Sequence, residues 1–294
     1  MTLEELNALF DKQFVFQKLI YTGSDNLVYC LTDVQNKKYI LRQARRQKNE
    51  DDLAFEAHFS LFLSQHHIPV RLLLNAGPLS LLSFCEGKTL TFDEVTSEQC
   101  FNGGKTLAEF HQVSADFHQP PLPQRTITSE LERVIPLADK LKEKYTDGAT
   151  FVDAVKKVLG SPWLTAPNTC IIHNDFRIQN VLFQDSQISA ILDFDWACPG
   201  RPVKDLAHAM VEWSMPDRDS LKKDRFSAFF KGYTSVSSPV NLDELQFWIC
   251  LSCLSDAATY LADRIDSSQS VGPIRSWMYQ KYLFFNEHAL KEFL

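Results

Sequence analysis

The chain has 294 residues, 45% of them hydrophobic, which is enough to bury a sizeable core in one large domain or two lobes and argues against disorder. Its formal charge of −7 leaves no basic average for binding nucleic acid, and no apolar run approaches the ~20 residues of a membrane-spanning helix, so neither nucleic acid nor membrane is an expected partner. The start, Met1 to Asn7, opens on acids without the basic and apolar stretches of a secretory signal, and seven cysteines scattered among apolar neighbours fit reduced thiols, so a cytoplasmic location is expected.

An opening helix is followed by strands. Residues 28–32 and 38–42 are short β-type runs joined by a polar connector, 33–37, long enough for a hairpin. Residues 53–65 read as helix, because Leu53, Ala54, Ala57, Leu61 and Phe62 recur at helical spacing and Pro69 lies beyond the end. Two further strands, 70–75 and 80–84, are separated by the turn signal Ala76-Gly77-Pro78. After Cys85-Glu86-Gly87-Lys88 the pattern becomes helical, so this segment is the expected hinge between residues 1–85 and 86–294. Helices are expected over 99–114, 129–144 and 151–159, with a proline-rich loop at 120–123, and almost throughout from Val203 onward. Cys250 and Cys253 fall in a run with helical apolar spacing, 245–261, and no second ligand pair accompanies them, so they read as core thiols and not as a metal or redox site.

The chemistry concentrates in the stretch from Cys170 to Asp195. Two apolar runs, 170–172 and 181–183, flank a polar loop holding His173, Asp175, Arg177 and Asn180, and a third, 188–192, ends on Asp193. Phosphoryl transfer from a nucleotide needs a group to orient the attacking hydroxyl, oxygen ligands for Mg2+ and positive charge on the phosphate. Asp175 suits the base, and Asn180 and Asp193 suit the metal, with Asp195 as a further metal candidate two residues on. Arg177 is placed to offset charge on the transferred group, with a loop-anchoring ion pair as its alternative, whereas His173 reads as a structural histidine. In the first 85 residues, Gly23-Ser24-Asp25-Asn26 is a plain turn that could face phosphates, and Arg42 on its strand with Glu56 on the next helix form either a phosphate-binding pair or two solvated charges.

His173-Asn174-Asp175 with Asn180, then Asp193-Phe194-Asp195 and Asp205-Leu206-Ala207, resemble the aminoglycoside phosphotransferase and choline kinase family. The resemblance spans most of the chain, including 23–26, 39–42, Glu56 and 107–111. It implies an α+β, two-lobed protein-kinase-like fold, with a β-rich nucleotide-binding lobe in 1–85 and an α-helical catalytic and substrate-binding lobe in 86–294. It further implies ATP and Mg2+ as cofactors, Ser24 over the phosphates, Arg42 and Glu56 as the strand–helix pair, and the base held near the backbone of Ser83, Phe84 and Cys85. By the same likeness Asp175 is the base and Asn180 and Asp193 are the Mg2+ ligands, while Arg42 stands where lysine is commoner.

The expected reaction moves the γ-phosphate of ATP to a hydroxyl of a small molecule, an aminoglycoside-like compound, an amino alcohol or another metabolite. Residues 183–213 look similar to both homoserine-kinase-like and choline-kinase-like members, which favours a small amino alcohol. Glu212, Asp217, Asp256, Asp263 and Asp266 are acids that either meet an amine or lie on solvated helix faces, and Trp213, Trp248, Tyr260, Trp277 and Tyr279 are either cage or core. Two other readings stand beside this one. A catalytically silent, kinase-shaped binding or regulatory protein is disfavoured by the intact Asp175, Asn180 and Asp193, and a protein kinase by the short 193–205 segment.

Overall fold

The computed structural model describes residues 2–22, 26–44, 49–75, 77, 79–123, 126–215, 220–266 and 272–294. Helix α1, Leu3–Phe10, starts in a capping box: Glu5 N–H donates to Thr2 Oγ1 (3.2 Å) and Thr2 N–H donates back to the Glu5 carboxylate (2.7 Å). It ends at Asp11, whose φ of 49° is left-handed. Strands β1 (Phe14–Thr22), β2 (Asn26–Asp33) and β3 (Lys38–Ala44) follow, then α2 (Glu50–Gln65), β4 (Leu73–Asn75) and β5 (Leu79–Ser83). The five strands form one antiparallel sheet in the order β1-β2-β3-β5-β4.

Strand alternation decides what each face of this sheet does. Tyr29 faces Leu41 and Leu31 faces Tyr39 across the β2–β3 ladder, and these side chains pack with Phe14, Leu81 and the Leu6 and Phe10 positions of α1. The intervening positions, Cys30 opposite Ile40 and Val28 opposite Arg42, lie on the other face, so Arg42 points away from α1 and reaches α2.

The rest of the chain is mainly helical: α3 (Ser97–Ser114), α4 (Ser129–Val134), α5 (Ala138–Lys144) and α6 (Gly148–Leu159), then β6 (Cys170–Ile172), β7 (Val181–Gln184), β8 (Gln187–Ile191) and β9 (Cys198–Gly200), and finally α7 (Pro202–Ser214), α8 (Lys223–Thr234), α9 (Leu242–Arg264) and α10 (Trp277–Glu287). β6 pairs with β9 and β7 with β8. α3 and α8 approach closely enough that a Cβ on Gly104 would lie 2.0 Å from Phe229 O, and one on Gly232 would lie 1.9 Å from Phe101 O. Only glycine allows this backbone contact. The connector to the helical region is stitched to β7 and β8: Lys88 and Phe183 exchange backbone hydrogen bonds of 3.0 and 2.9 Å, and Ser189 Oγ donates to Glu86 O (2.7 Å).

Three expectations need correction. The strand expected over 70–75 begins only at Leu73, because Val70 pairs instead with Ile191 in a parallel bridge. The helix expected over 129–144 is broken by a 3-10 turn at Ile135–Leu137, where Pro136 has no N–H to donate. A strand that the sequence reading omitted, β9, passes through Pro199 and Gly200, both depleted in strands. All seven cysteines are free thiols, with Cys253 buried inside α9. No helix among the described residues is long and apolar enough to cross a membrane.

Candidate active site

The loop between β6 and β7 is built around a buried carboxylate on α7. Asp205, fully buried, accepts the backbone N–H of His173 on Oδ2 (2.7 Å) and that of Asn174 on Oδ1 (2.9 Å). On its other side, His111 of α3 places Nε2 3.0 Å from Asp205 Oδ2 and Nδ1 2.9 Å from the Tyr233 hydroxyl. Burial would raise the Asp205 carboxyl, but His111, His173 and Lys204 more than reverse it and hold it down at about 2. His173 is itself buried and bonded to Leu192 O (2.9 Å), and burial lowers its pKa, so it ties the loop to the end of β8 as the structural reading expected. Asn174 turns the loop with a φ of 63°, a left-handed geometry that Asn tolerates.

Asp175, 8% exposed, emerges from this support. Asn180 Nδ2 donates to Asp175 Oδ2 (2.7 Å) and to its carbonyl (2.9 Å), which directs the amide oxygen of Asn180 away from the pair. Leu192 N–H donates to Asn180 O (2.8 Å), so Asn180 and Asp193 sit on adjoining strand ends. Arg177 Nε donates to Asp175 Oδ1 (2.6 Å), with Nη2 also in contact. The ion pair that stood as the alternative for Arg177 is thus present, with Asp175 as its acid.

Asp193 has a φ of 62°, so the backbone there is not extended, and the two-residue spacing does not by itself put Asp195 on the same side as Asp193. Asp195 N–H nonetheless turns back to Asp193 Oδ1 (3.3 Å), and Asp195 Oδ1 lies 3.8 Å from Arg42 Nη1. Arg42 and Glu56 form a buried bidentate pair of 2.8 and 2.6 Å rather than two solvated charges. Burial opposes the Arg42 charge, but Glu56, Asp195 and Asp193 outweigh it and raise its pKa. Removing one partner of such a pair costs about 3–5 kcal/mol, because a buried charge is left alone. Ser24 lies outside the described residues. Ser83 uses Oγ to accept Leu72 N–H (2.9 Å), Phe84 carries Lys38 over its ring at 4.8 Å, and the Cys85 thiol lies 3.9 Å from Val70 O.

A cavity of about 350 Å3 opens beside Asp175 and Arg177. It collects residues that the sequence reading did not single out. Lys204 is 6% exposed and donates to the neutral amide oxygen of Asn174, and His208 lies with Nε2 3.6 Å from Asp256 Oδ2. Glu212 pairs with Lys281 at 3.2 Å. Burial would raise the Asp256 carboxyl, but His208, Lys204 and Arg177 hold it below the ordinary range. His208 Nδ1 and Ser252 Oγ, both lining the cavity, are buried without partners. Of the expected acids, Glu212, Asp256 and Asp263 line the cavity, Asp263 paired with Arg133 at 2.5 Å; Asp266 pairs with Lys140 at 3.0 Å, and Asp217 is outside the described residues. Trp213, Trp248 and Tyr279 are core, whereas Tyr260, Trp277 and the unanticipated Trp196 line the cavity. Asp205 was visible only as part of a motif, and Lys204, just before it, lies one helical turn from His208 on α7, a signal hidden because charged residues on a helix normally read as solvated.

A cation of the Mg2+ kind fits the donor set: an amide oxygen from Asn180 and carboxylate oxygens from Asp193 are the hard ligands it takes beside phosphate and water. A β-rich region joined to a helical one, with a supported carboxylate and this donor set between them, defines a kinase of the two-lobed, protein-kinase-like type. The sequence profile of the phosphotransferase enzyme family matches residues 17–238, and the chain belongs to that family. It is similar to a homoserine kinase of Neisseria meningitidis serogroup B, 29% identical over 253 residues, covering 80% of this chain and 78% of the relative. Among solved structures it resembles an amicoumacin kinase in complex with AMP-PNP, Ca2+ and Ami (15% identity, TM-score 0.71, covering 99% of this chain and 96% of the other). It also resembles an ethanolamine kinase of Plasmodium vivax (15% identity, TM-score 0.67, 99% and 86% covered).

Proposed function

We propose that the protein moves the γ-phosphoryl group of a nucleoside triphosphate, ATP by the family resemblance, to the hydroxyl of a small hydroxylated amino acid of the homoserine kind. The observation that carries this is Asp175, held by Arg177 and Asn180 at the mouth of a cavity with charges of both signs. Lys204 and Arg177 suit an acceptor carboxylate, and Asp256 and Glu212 suit its ammonium group, which agrees with the homoserine kinases among the relatives.

In this reading Asp175 accepts the acceptor's O–H as a hydrogen bond and orients the oxygen toward the γ-phosphorus. The new O–P bond forms as the bond between the γ-phosphorus and the bridging oxygen breaks, the nucleoside diphosphate leaves, and the proton passes to Asp175. Arg177 fixes the carboxylate and adds positive charge beside it. Arg42, locked by Glu56, faces the phosphates, and the backbone of Ser83, Phe84 and Cys85 meets the base. Asn180 and Asp193, with Asp195 behind them, would hold the divalent cation, which supplies charge neutralisation on the β- and γ-phosphates. The connector 86–88 is then the hinge between the lobes.

Nucleoside diphosphate release measured against L-homoserine, choline, ethanolamine and an aminoglycoside tests the proposal. Turnover with homoserine is expected, with Asp175→Asn lowering kcat roughly a hundred- to ten-thousand-fold. Turnover of only the other acceptors would remove the amino-acid assignment. Phosphate entering protein alone, or nucleotide binding without any turnover, would overturn the proposal as a whole.

A further inference from the structure

Arg71 is placed behind the connector that the nucleotide reading assigns to the base. Its N–H donates to Ile191 O (3.3 Å) where β8 runs on toward Asp193. The next residue, Leu72, donates its N–H to Ser83 Oγ (2.9 Å) and accepts Ser83 N–H on its carbonyl (2.9 Å). The Arg71 guanidinium lies against the Cys85 thiol and within the field of Arg42. It is mostly enclosed, and its Nε is buried without an acceptor. Arg42 is neutralised by Glu56; Arg71 has a thiol beside it and another cation in reach, and burial pushes its pKa down. A guanidinium buried in this way is costly until its donors are answered. The side chain is not wholly buried, so a base settling against this connector would bring acceptors to the outer nitrogens of the fork, while Nε stays enclosed.

We propose that Arg71 reads the nucleotide base and favours guanine over adenine, making GTP the better phosphoryl donor. This rests on the nucleotide site proposed above and changes only its base. A guanidinium is a planar fork of donors with no acceptor. Guanine offers it two adjacent acceptors, O6 and N7; adenine keeps N7 but places an amino donor where O6 would be, so one Arg donor meets another donor. A site built to bond a group rejects the analogue that leaves its own donor unpaired.

Calorimetric titration with GDP and ADP, on wild type, Arg71→Leu and Arg71→Lys, reads base choice without any acceptor. The wild type is expected to bind GDP at least about ten-fold more tightly than ADP. Arg71→Leu should lose that ratio, and Arg71→Lys should keep part of it. Equal affinities, tighter ADP, or a ratio unchanged in Arg71→Leu would overturn the assignment. So would a parallel loss of both nucleotides in Arg71→Leu, which marks a phosphate-binding or structural role. A GDP preference that vanishes in Arg71→Leu supports it even if no acceptor is turned over, an outcome that would strike the proposed activity alone; failure of the wild type to bind either nucleotide would overturn both.

Discussion

Asp205 bears more of the site than its distance from the chemistry suggests. Two backbone donors of the loop, His111 and the field of Lys204 all converge on it, and together they hold its carboxyl at about 2 against a burial cost that works the other way. Because the folded pKa lies below the ordinary value of 3.8, the carboxylate's contribution to stability is fully present above about pH 4 and is lost as pH falls through 2. The difference amounts to roughly 2 kcal/mol by linkage. Asp205→Asn keeps the size but not the charge, so urea unfolding is expected to show a deficit of that order near neutral pH that narrows below about pH 4. A deficit constant across that range would mean that Asp205 acts through packing alone. The same variant should lower kcat, since the backbone that aims Asp175 loses its anchor.

The elements show why some of this was readable and some was not. Strands β6, β7 and β8 and the loop between the first two were visible because apolar runs flank a polar stretch, and the proposed chemistry calls for residues of the types of Asp175, Asn180 and Asp193. The Arg42–Glu56 pair could only be left at two readings, since burial of both ends depends on the sheet face that β3 turns toward α2. Lys204 and His208 escaped notice, and Asp256 was left between an amine-binding acid and a solvated one, because the cavity is made by α7 meeting α9, a contact that no local pattern announces. The close α3–α8 crossing was equally silent, although Gly103-Gly104 in the middle of an 18-residue helix, where glycine costs about 1 kcal/mol each, hinted at a packing reason. Gly104→Ala should therefore reverse the usual gain from replacing a helical glycine. Its Cβ would meet the Phe229 backbone oxygen, which cannot rotate aside, and a loss of about 3 kcal/mol is expected in the urea midpoint. A neutral or stabilising result would show that α8 can shift away.

The two regions meet in a shared apolar seam, where Phe55, Phe59 and Phe62 of α2 pack on Phe110, Phe117 and Phe194, and in backbone bridges such as Lys88–Phe183 and Val70–Ile191, with Asp195 approaching Arg42. A ligand bound to both regions adds to the stability of the whole chain beyond this seam. At a nucleoside diphosphate concentration a hundred times Kd, stabilisation of about 2.7 kcal/mol follows from mass action. For a chain of 294 residues that corresponds to a rise of roughly 4–5 °C in Tm. Asn180 and Asp193 belong to the helical region, whereas Arg42 belongs to the sheet, so a divalent cation on the former pair is what would fasten the phosphates across the gap. Thermal unfolding with nucleotide and Mg2+ should accordingly lose more than half of its shift when EDTA is added, and Asp193→Asn should show the small shift from the outset. If the nucleotide stabilises equally with and without the chelator, the phosphates are held by the protein's cations alone and the metal assignment of Asn180 and Asp193 fails. If EDTA acts but Asp193→Asn does not reproduce it, the cation is bound elsewhere, with Asp195 the next carboxylate to change.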